Sequence, residues 1–139
     1  MFDALPLRRA EHAIVELRQY TLHPGRRDEL IELFDREFLE GQEAAAMEVI
    51  GQFRDLDDPD HFVWLRGFSD MPTRREALAD FYGGPVWKAN REAANATMID
   101  SDNVLLLRPA YPGSGFRVEG KPRPQGVTAS SDGLVVASL

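Results

Sequence analysis

The sequence contains no cysteine. That removes disulfides, thiolate zinc sites, iron–sulfur clusters and thiol nucleophiles in one step, and it is compatible with a reducing compartment. No apolar run approaches the roughly 18 residues that a membrane helix needs. The opening stretch, Met1-Phe2-Asp3-Ala4-Leu5-Pro6-Leu7-Arg8-Arg9, lacks the long apolar region of a signal peptide. Positive charge is in deficit: 16 Lys and Arg stand against 23 Asp and Glu, a net −7 at pH 7. This argues against nucleic acid or an anionic membrane as the main partner. Histidine is scarce, with three in the chain. No two stand at helical ligand spacing and none falls in a predicted helix, which weakens haem held by a helix-borne histidine. The expectation is a soluble, cytoplasmic protein that uses no metal and no cofactor. At 139 residues it forms one domain, long enough to bury a core without a covalent staple.

What is present is a pair of two-faced strands. In residues 14–21 and 61–68, alternate side chains form an aliphatic row, Val15 and Leu17 in one and Val63 and Leu65 in the other. The intervening rows mix aromatic and charged groups: Glu16, Arg18 and Tyr20 in the first, Phe62, Trp64, Arg66 and Phe68 in the second. The aliphatic row suits a layer of helices. The mixed row is too aromatic to leave wet and too charged for plain core, so Glu16, Arg18, Tyr20, Trp64 and Arg66 are expected at an interface with a second subunit. Arg54 and Arg108 are expected on that face as well. They admit two readings, an anion-binding patch or a charge network between subunits, and the network is preferred.

The remaining elements follow from periodicity. A strand over about 14–22 is broken at His23-Pro24-Gly25. A helix over about 26–40 carries Leu30, Leu33, Phe34 and Phe38 on one stripe. It ends at Gly41 or runs on through Gln42–Ala46. Residues 47–56 read as a strand, joined by the turn Asp57-Asp58-Pro59-Asp60 to the strand at 61–68 as an antiparallel hairpin. Thr73 and Glu76 form a capping box for a helix over 73–81, and Pro85 opens another over 85–98. Asp100–Asn103 reads as a turn, and Val104–Leu107 as a strand buried on both faces. The order strand, helix, two strands, helix, strand predicts an α+β fold of the ferredoxin-like βαββαβ type, a four-stranded antiparallel sheet with helices on one face. Residues 1–110 form this domain. Residues 111–139, rich in Pro and Gly, form an extended arm, with a short strand expected at 133–136.

The stretch Glu16-Leu17-Arg18-Gln19-Tyr20-Thr21-Leu22-His23-Pro24-Gly25-Arg26 resembles the opening signature of the NIPSNAP family. Asp60–Phe68, Arg74-Arg75-Glu76-Ala77 and Pro85-Val86-Trp87 are similar to the rest of that domain, so the likeness covers about 14–108. It implies a dimeric α+β barrel, in which two sheets pack face to face in a homodimer. The wider superfamily holds cofactor-free monooxygenases, isomerases and haem enzymes. The family itself carries no agreed chemistry and supplies no catalytic motif to transfer.

Candidate chemistry is sparse. His61 opens a strand and, as a histidine, is a candidate proton carrier; Tyr82 is the other candidate. His23 reads as a solvated turn residue and His12 as exposed. Asp55, Asp57, Asp58 and Asp60 form a solvated turn: Pro59 and the missing Gly and terminal Glu argue against a calcium loop. The plausible pocket lies between helices and sheet, floored by Val15, Leu17, Gln19, Val63 and Leu65. Phe34, Tyr82, Trp87, Asn90 and Met98 reach it from above. The first reading is a homodimer that binds a small apolar or aromatic molecule there. One alternative is a cofactor-independent monooxygenase or isomerase acting on an aromatic, quinol-like substrate. The other is a non-catalytic structural or adaptor protein.

Overall fold

A computed structural model describes residues 11–117. Strand β1 (Ile14–Leu22) leads into one long helical segment made of α1 (Arg27–Leu33), a π-helical turn (Phe34–Phe38) and α2 (Leu39–Ala44). Strands β2 (Glu48–Arg54) and β3 (His61–Phe68) follow, then α3 (Met71–Tyr82), α4 (Pro85–Thr97) and β4 (Met98–Leu107). The four strands lie in the order β2-β3-β1-β4, and each neighbouring pair is antiparallel. This is the expected α+β arrangement, with β1 and β3 at the centre.

Local chemistry explains most boundaries. Gly25 takes φ +77° in the turn after β1, a conformation open to glycine without cost. The Asp60 carboxylate accepts from the Gly25 amide at 2.9 Å. The Arg27 guanidinium donates to the carbonyls of Asp55, Asp58 and His61. The start of α1 is thereby tied to the β2–β3 turn. Gly41 does not stop the helix, which continues to Ala44. Helix α3 starts two residues earlier than its sequence pattern suggests, because the cap is Asp70, whose side chain accepts from the Thr73 amide at 2.7 Å. Pro85 opens α4 as expected.

Residues 100–103 form no turn. They belong to β4, which absorbs the irregularity as shifts in its register against β1 around Thr21. Nor is Val104–Leu107 buried on both faces: β4 is an edge strand, and Leu105, Leu106 and Leu107 are exposed. Of the expected arm, the strand at 133–136 lies outside the described residues.

The faces of the sheet are the reverse of the expectation. Register pairs Glu16 with Arg66, Arg18 with Trp64 and Tyr20 with Phe62, and this mixed face lies beneath the helices. Tyr20, Leu22, Phe62, Trp64 and Phe68 form one core with Leu30, Leu33, Phe34, Phe38, Leu39 and Phe81. Glu16, Arg18, Tyr20, Trp64 and Arg66, expected at a subunit interface, are therefore packed inside their own chain. Arg54 also serves the helix side, pairing with Asp28 of α1, whereas Arg108 is exposed. The buried carboxylate is tolerated because three arginines pair with it, and the guanidinium groups stack on aromatic rings. The aliphatic row, Val15, Leu17 and Leu65 with Ile50 and Val63, forms a separate cluster on the opposite face. Phe53, Leu105 and Leu107 extend that face by register.

Among the described residues no helix is long and apolar enough to cross a membrane.

Candidate functional site

Glu16 sits at the centre of the buried face, with none of its surface exposed. Its neighbours follow from sheet geometry: Arg18 is two residues along the same face, and Arg66 is directly opposite on β3. One carboxylate oxygen accepts from Arg18 Nη1 at 2.6 Å and Arg66 Nε at 2.8 Å. The other accepts from Arg74 Nε at 2.7 Å, reaching down from α3. Burial alone would push the Glu16 carboxyl up, but the Arg66 and Arg18 charges and the hydrogen bonds from Arg74 and Arg18 hold it below its ordinary value. Burial likewise works against the Arg18 charge. The oxygens of Tyr20 and Tyr82 and the Glu16 carboxylate outweigh it, and the guanidinium is held more firmly protonated than usual.

Aromatic rings surround the cations. Arg66 lies 5.0 Å from the Trp64 ring and 5.6 Å from Tyr82, and Arg18 lies 5.5 Å from Trp64, all within cation–π range. Arg66 Nη1 also donates to the Gln42 side-chain oxygen at 2.7 Å and to the Tyr82 hydroxyl at 3.1 Å. Arg18 Nε donates to the Tyr20 hydroxyl at 3.3 Å. The polar network thus reaches from the centre of the sheet to α2 and the end of α3.

Beside this network lies a gap of about 20 Å³ between sheet and helices, bordered by Tyr20, Leu30, Phe34, Phe38, Gln42, Trp64, Phe81, Tyr82, Trp87 and Met98. The rings meet edge to face: Phe34 on Trp64 at 4.7 Å, Phe81 on Tyr82 at 5.0 Å and Tyr82 on Trp87 at 5.2 Å. Phe34 and Phe38 bracket the π turn, where the Leu39 amide donates to the Phe34 carbonyl five residues back. The wider turn sets both rings against the gap. Such turns recur at functional sites.

The structure brings together four of the six side chains expected at the pocket: Phe34, Tyr82, Trp87 and Met98. Gln19 is on the opposite face of the sheet, donating to Asn103 of β4 at 3.4 Å. Asn90 turns toward the π segment, donating to the Val86 carbonyl and to Glu37. The floor is the mixed row, with Tyr20 and Trp64, rather than the aliphatic one. Two further residues of the network, Gln42 and Arg74, carry no signal in the strand pattern: Gln42 accepts from Arg66 and Arg74 donates to Glu16, both across from the helices.

His61 does not border the gap. Its Nδ1 pairs with Asp55 at 2.8 Å, binding the ends of the β2–β3 hairpin together. His23 is exposed in the turn after β1. His12 is buried rather than exposed. Its ring covers Gly67, where an added Cβ would fall 2.5 Å from His12 Cγ, so a side chain at position 67 would displace the ring. A larger recess of about 500 Å³ lies here, lined in part by Glu11, His12, Glu43, Glu48 and Thr73. His12, Glu43 and Glu48 all have partners of their own. Among the described residues no group of three or more His, Asp and Glu is arranged to hold a metal ion.

A search of curated proteins finds no match. Among solved structures, a NIPSNAP-like domain protein from Burkholderia xenovorans is 25% identical, with a TM-score of 0.64, covering 85% of this chain and 97% of its own. A NIPSNAP family protein of unknown function from Agrobacterium tumefaciens is 22% identical, with a TM-score of 0.65, covering 74% of this chain and 93% of its own. The fold is shared more widely. A protein from Chloroflexus aurantiacus described as a putative antibiotic biosynthesis monooxygenase is 18% identical, with a TM-score of 0.51, covering 73% of this chain and 98% of its own. The NIPSNAP family model matches residues 15–112, which span all four strands and the helices that close the cleft. The chain belongs to the NIPSNAP family.

Proposed function

We propose that this protein is a homodimer whose cleft between helices and sheet binds a small aromatic molecule. The observation that carries the reading is the border of the gap: a shell of rings and aliphatic groups with a few polar side chains, the usual make-up of a small-molecule site. The π turn beside it supports the same assignment. A cavity that takes a benzene ring is on the order of 150 Å³, well above the 20 Å³ present. The guest therefore displaces side chains at the rim, and Trp87 and Met98, both half-buried, are the ones that give way.

The dimer uses the aliphatic face, on which Phe53, Leu105 and Leu107 remain 38%, 37% and 40% exposed. These residues continue the Val15, Leu17 and Leu65 cluster into one apolar surface of the kind that marks association sites. A second copy is the natural cover, since two such surfaces match each other as two aligned sheets do. This arrangement leaves the aromatic cleft on the outer side of each sheet, accessible to a ligand.

Native mass spectrometry of the purified protein tests both parts. The reading expects a mass of two chains carrying a retained organic ligand. A single bare chain contradicts it.

A second reading is oxidation or isomerisation of the bound aromatic without a cofactor. Tyr82 favours it, because its hydroxyl is fixed at the gap by Arg66. Oxygen uptake in the presence of the retained ligand tests the oxidation, and chromatographic conversion of the ligand at unchanged mass tests the isomerisation; the absence of both removes this reading.

A further inference from the structure

The polar side chains that border the gap are Tyr20, Gln42, Trp64 and Tyr82. Three of them carry oxygen, and in each that oxygen already accepts from an arginine. Tyr20 accepts from Arg18; Tyr82 and Gln42 both accept from Arg66. A phenol that accepts from arginine keeps its own proton to give elsewhere. Tyr20 in particular is kept protonated, because burial raises its pKa against the opposing pull of Arg18. Trp64 has only a donor, and its indole N–H, in a side chain 1% exposed, meets no acceptor among the described residues. The gap is therefore bordered by groups with a hydrogen left to donate, and an arginine already engages each of the three oxygens.

Charge points the same way. Three guanidinium groups, Arg18, Arg66 and Arg74, share the single carboxylate of Glu16. Three positive charges less one negative leave an excess of two, and no other carboxylate pairs with these arginines among the described residues. Arg66 is 1% exposed, so water does little to offset its share of that excess.

Resting on the cleft reading above, we infer that the ligand presents an anionic oxygen, a carboxylate or an enolate, to the donors of Tyr20, Trp64 and Tyr82. The 20 Å³ gap has room for about one oxygen-sized group. The oxyanion takes that room, and the ligand's aromatic body lies toward Trp87. Arg18 and Arg66 stand behind the phenols and polarise them, much as positioned donors stabilise an oxyanion in an enzyme.

The test is calorimetric titration with a matched pair of the same size, 2-naphthoate and the neutral 2-naphthamide. Wild-type protein should bind the carboxylate about tenfold more tightly or better, the scale of one charge-assisted hydrogen bond. Trp64→Phe and Tyr82→Phe should each narrow that ratio. Arg18→Met should narrow it too, while leaving Glu16 paired with Arg66 and Arg74, so it retains a compensated core if an aromatic variant misfolds. Equal affinity for the two compounds, or a preference that all three variants preserve, overturns the oxyanion site and leaves the aromatic cleft standing. Failure of both compounds to bind, or binding indifferent to Trp87→Ala, overturns the cleft reading and this inference with it.

Discussion

Glu16 and Arg66 face each other across the two central strands, both buried and 2.8 Å apart. Removing the carboxylate charge with Glu16→Gln leaves Arg66 in the core without an ionic partner. A loss of about 3–5 kcal/mol is expected, the usual penalty for orphaning a buried charge. Arg74→Gln removes one cation from a cluster that has two in excess, at a side chain still 24% exposed. It should cost about 1 kcal/mol or less. Urea unfolding of the two variants checks the asymmetry; equal losses would show that the cluster is not cation-rich in the folded state.

The same carboxylate sets an acid dependence. Its folded-state pKa is lowered from the ordinary value of 4.5. A lowered carboxyl pKa stabilises the fold above the unfolded value, and that contribution disappears as pH falls through the folded value. Stability should therefore hold above about pH 5 and decline progressively below about pH 4.5. Glu16→Gln should show a shallower decline over the same window. Thermal melts at pH 3.5 to 6 measure this, and parallel curves for the two proteins would remove Glu16 as the titrating group.

Leu105 lies on the aliphatic face and is 37% exposed in the single chain. Leu105→Glu should leave the fold intact, since the new charge meets water in the monomer, but it should weaken the proposed dimer by at least about tenfold. Sedimentation velocity gives the result directly. An undiminished dimer would place the interface elsewhere. A charge at Trp64, by contrast, is expected to unfold the chain, because that ring is 1% exposed among Tyr20, Phe34 and Arg66.

Trp87 packs on Phe38 at 5.5 Å and on Tyr82 at 5.2 Å. Trp87→Ala should reduce affinity for an aromatic guest by about tenfold or more, while the dimer persists and stability falls by no more than about 3 kcal/mol. Titration and sedimentation on one preparation separate these outcomes. Unaltered affinity would remove Trp87 from the site.

Much of the architecture is legible in the sequence, because alternation and turn chemistry act locally. Pro85, the acidic turn at 57–60 and the two central strands lie where their patterns place them. One failure is local, and the others depend on distant partners. Asp70 displaces Thr73 as the cap because its side chain reaches the Thr73 amide. Asp100–Asn103 continues as strand because β1 supplies partners for it. The sheet faces are reversed because burial here is a property of the cluster and not of any one residue. Glu16 alone is costly to bury, yet Arg18, Arg66 and Arg74 satisfy both of its carboxylate oxygens. For the site, Phe34, Tyr82, Trp87 and Met98 are readable as large apolar groups aimed at one layer. The π turn that sets Phe34 and Phe38 leaves no simple periodic mark.

The most direct measurement is a high-resolution crystal structure of the protein purified without added ligand, with attention to the density between Trp64, Tyr82 and Trp87. The expected density is a planar feature too large for water, with an oxygen within hydrogen-bond distance of the Trp64 indole nitrogen and Trp87 turned aside to admit it. A cleft closed over by its own rings, with nothing larger than one water beside Trp64, would contradict it.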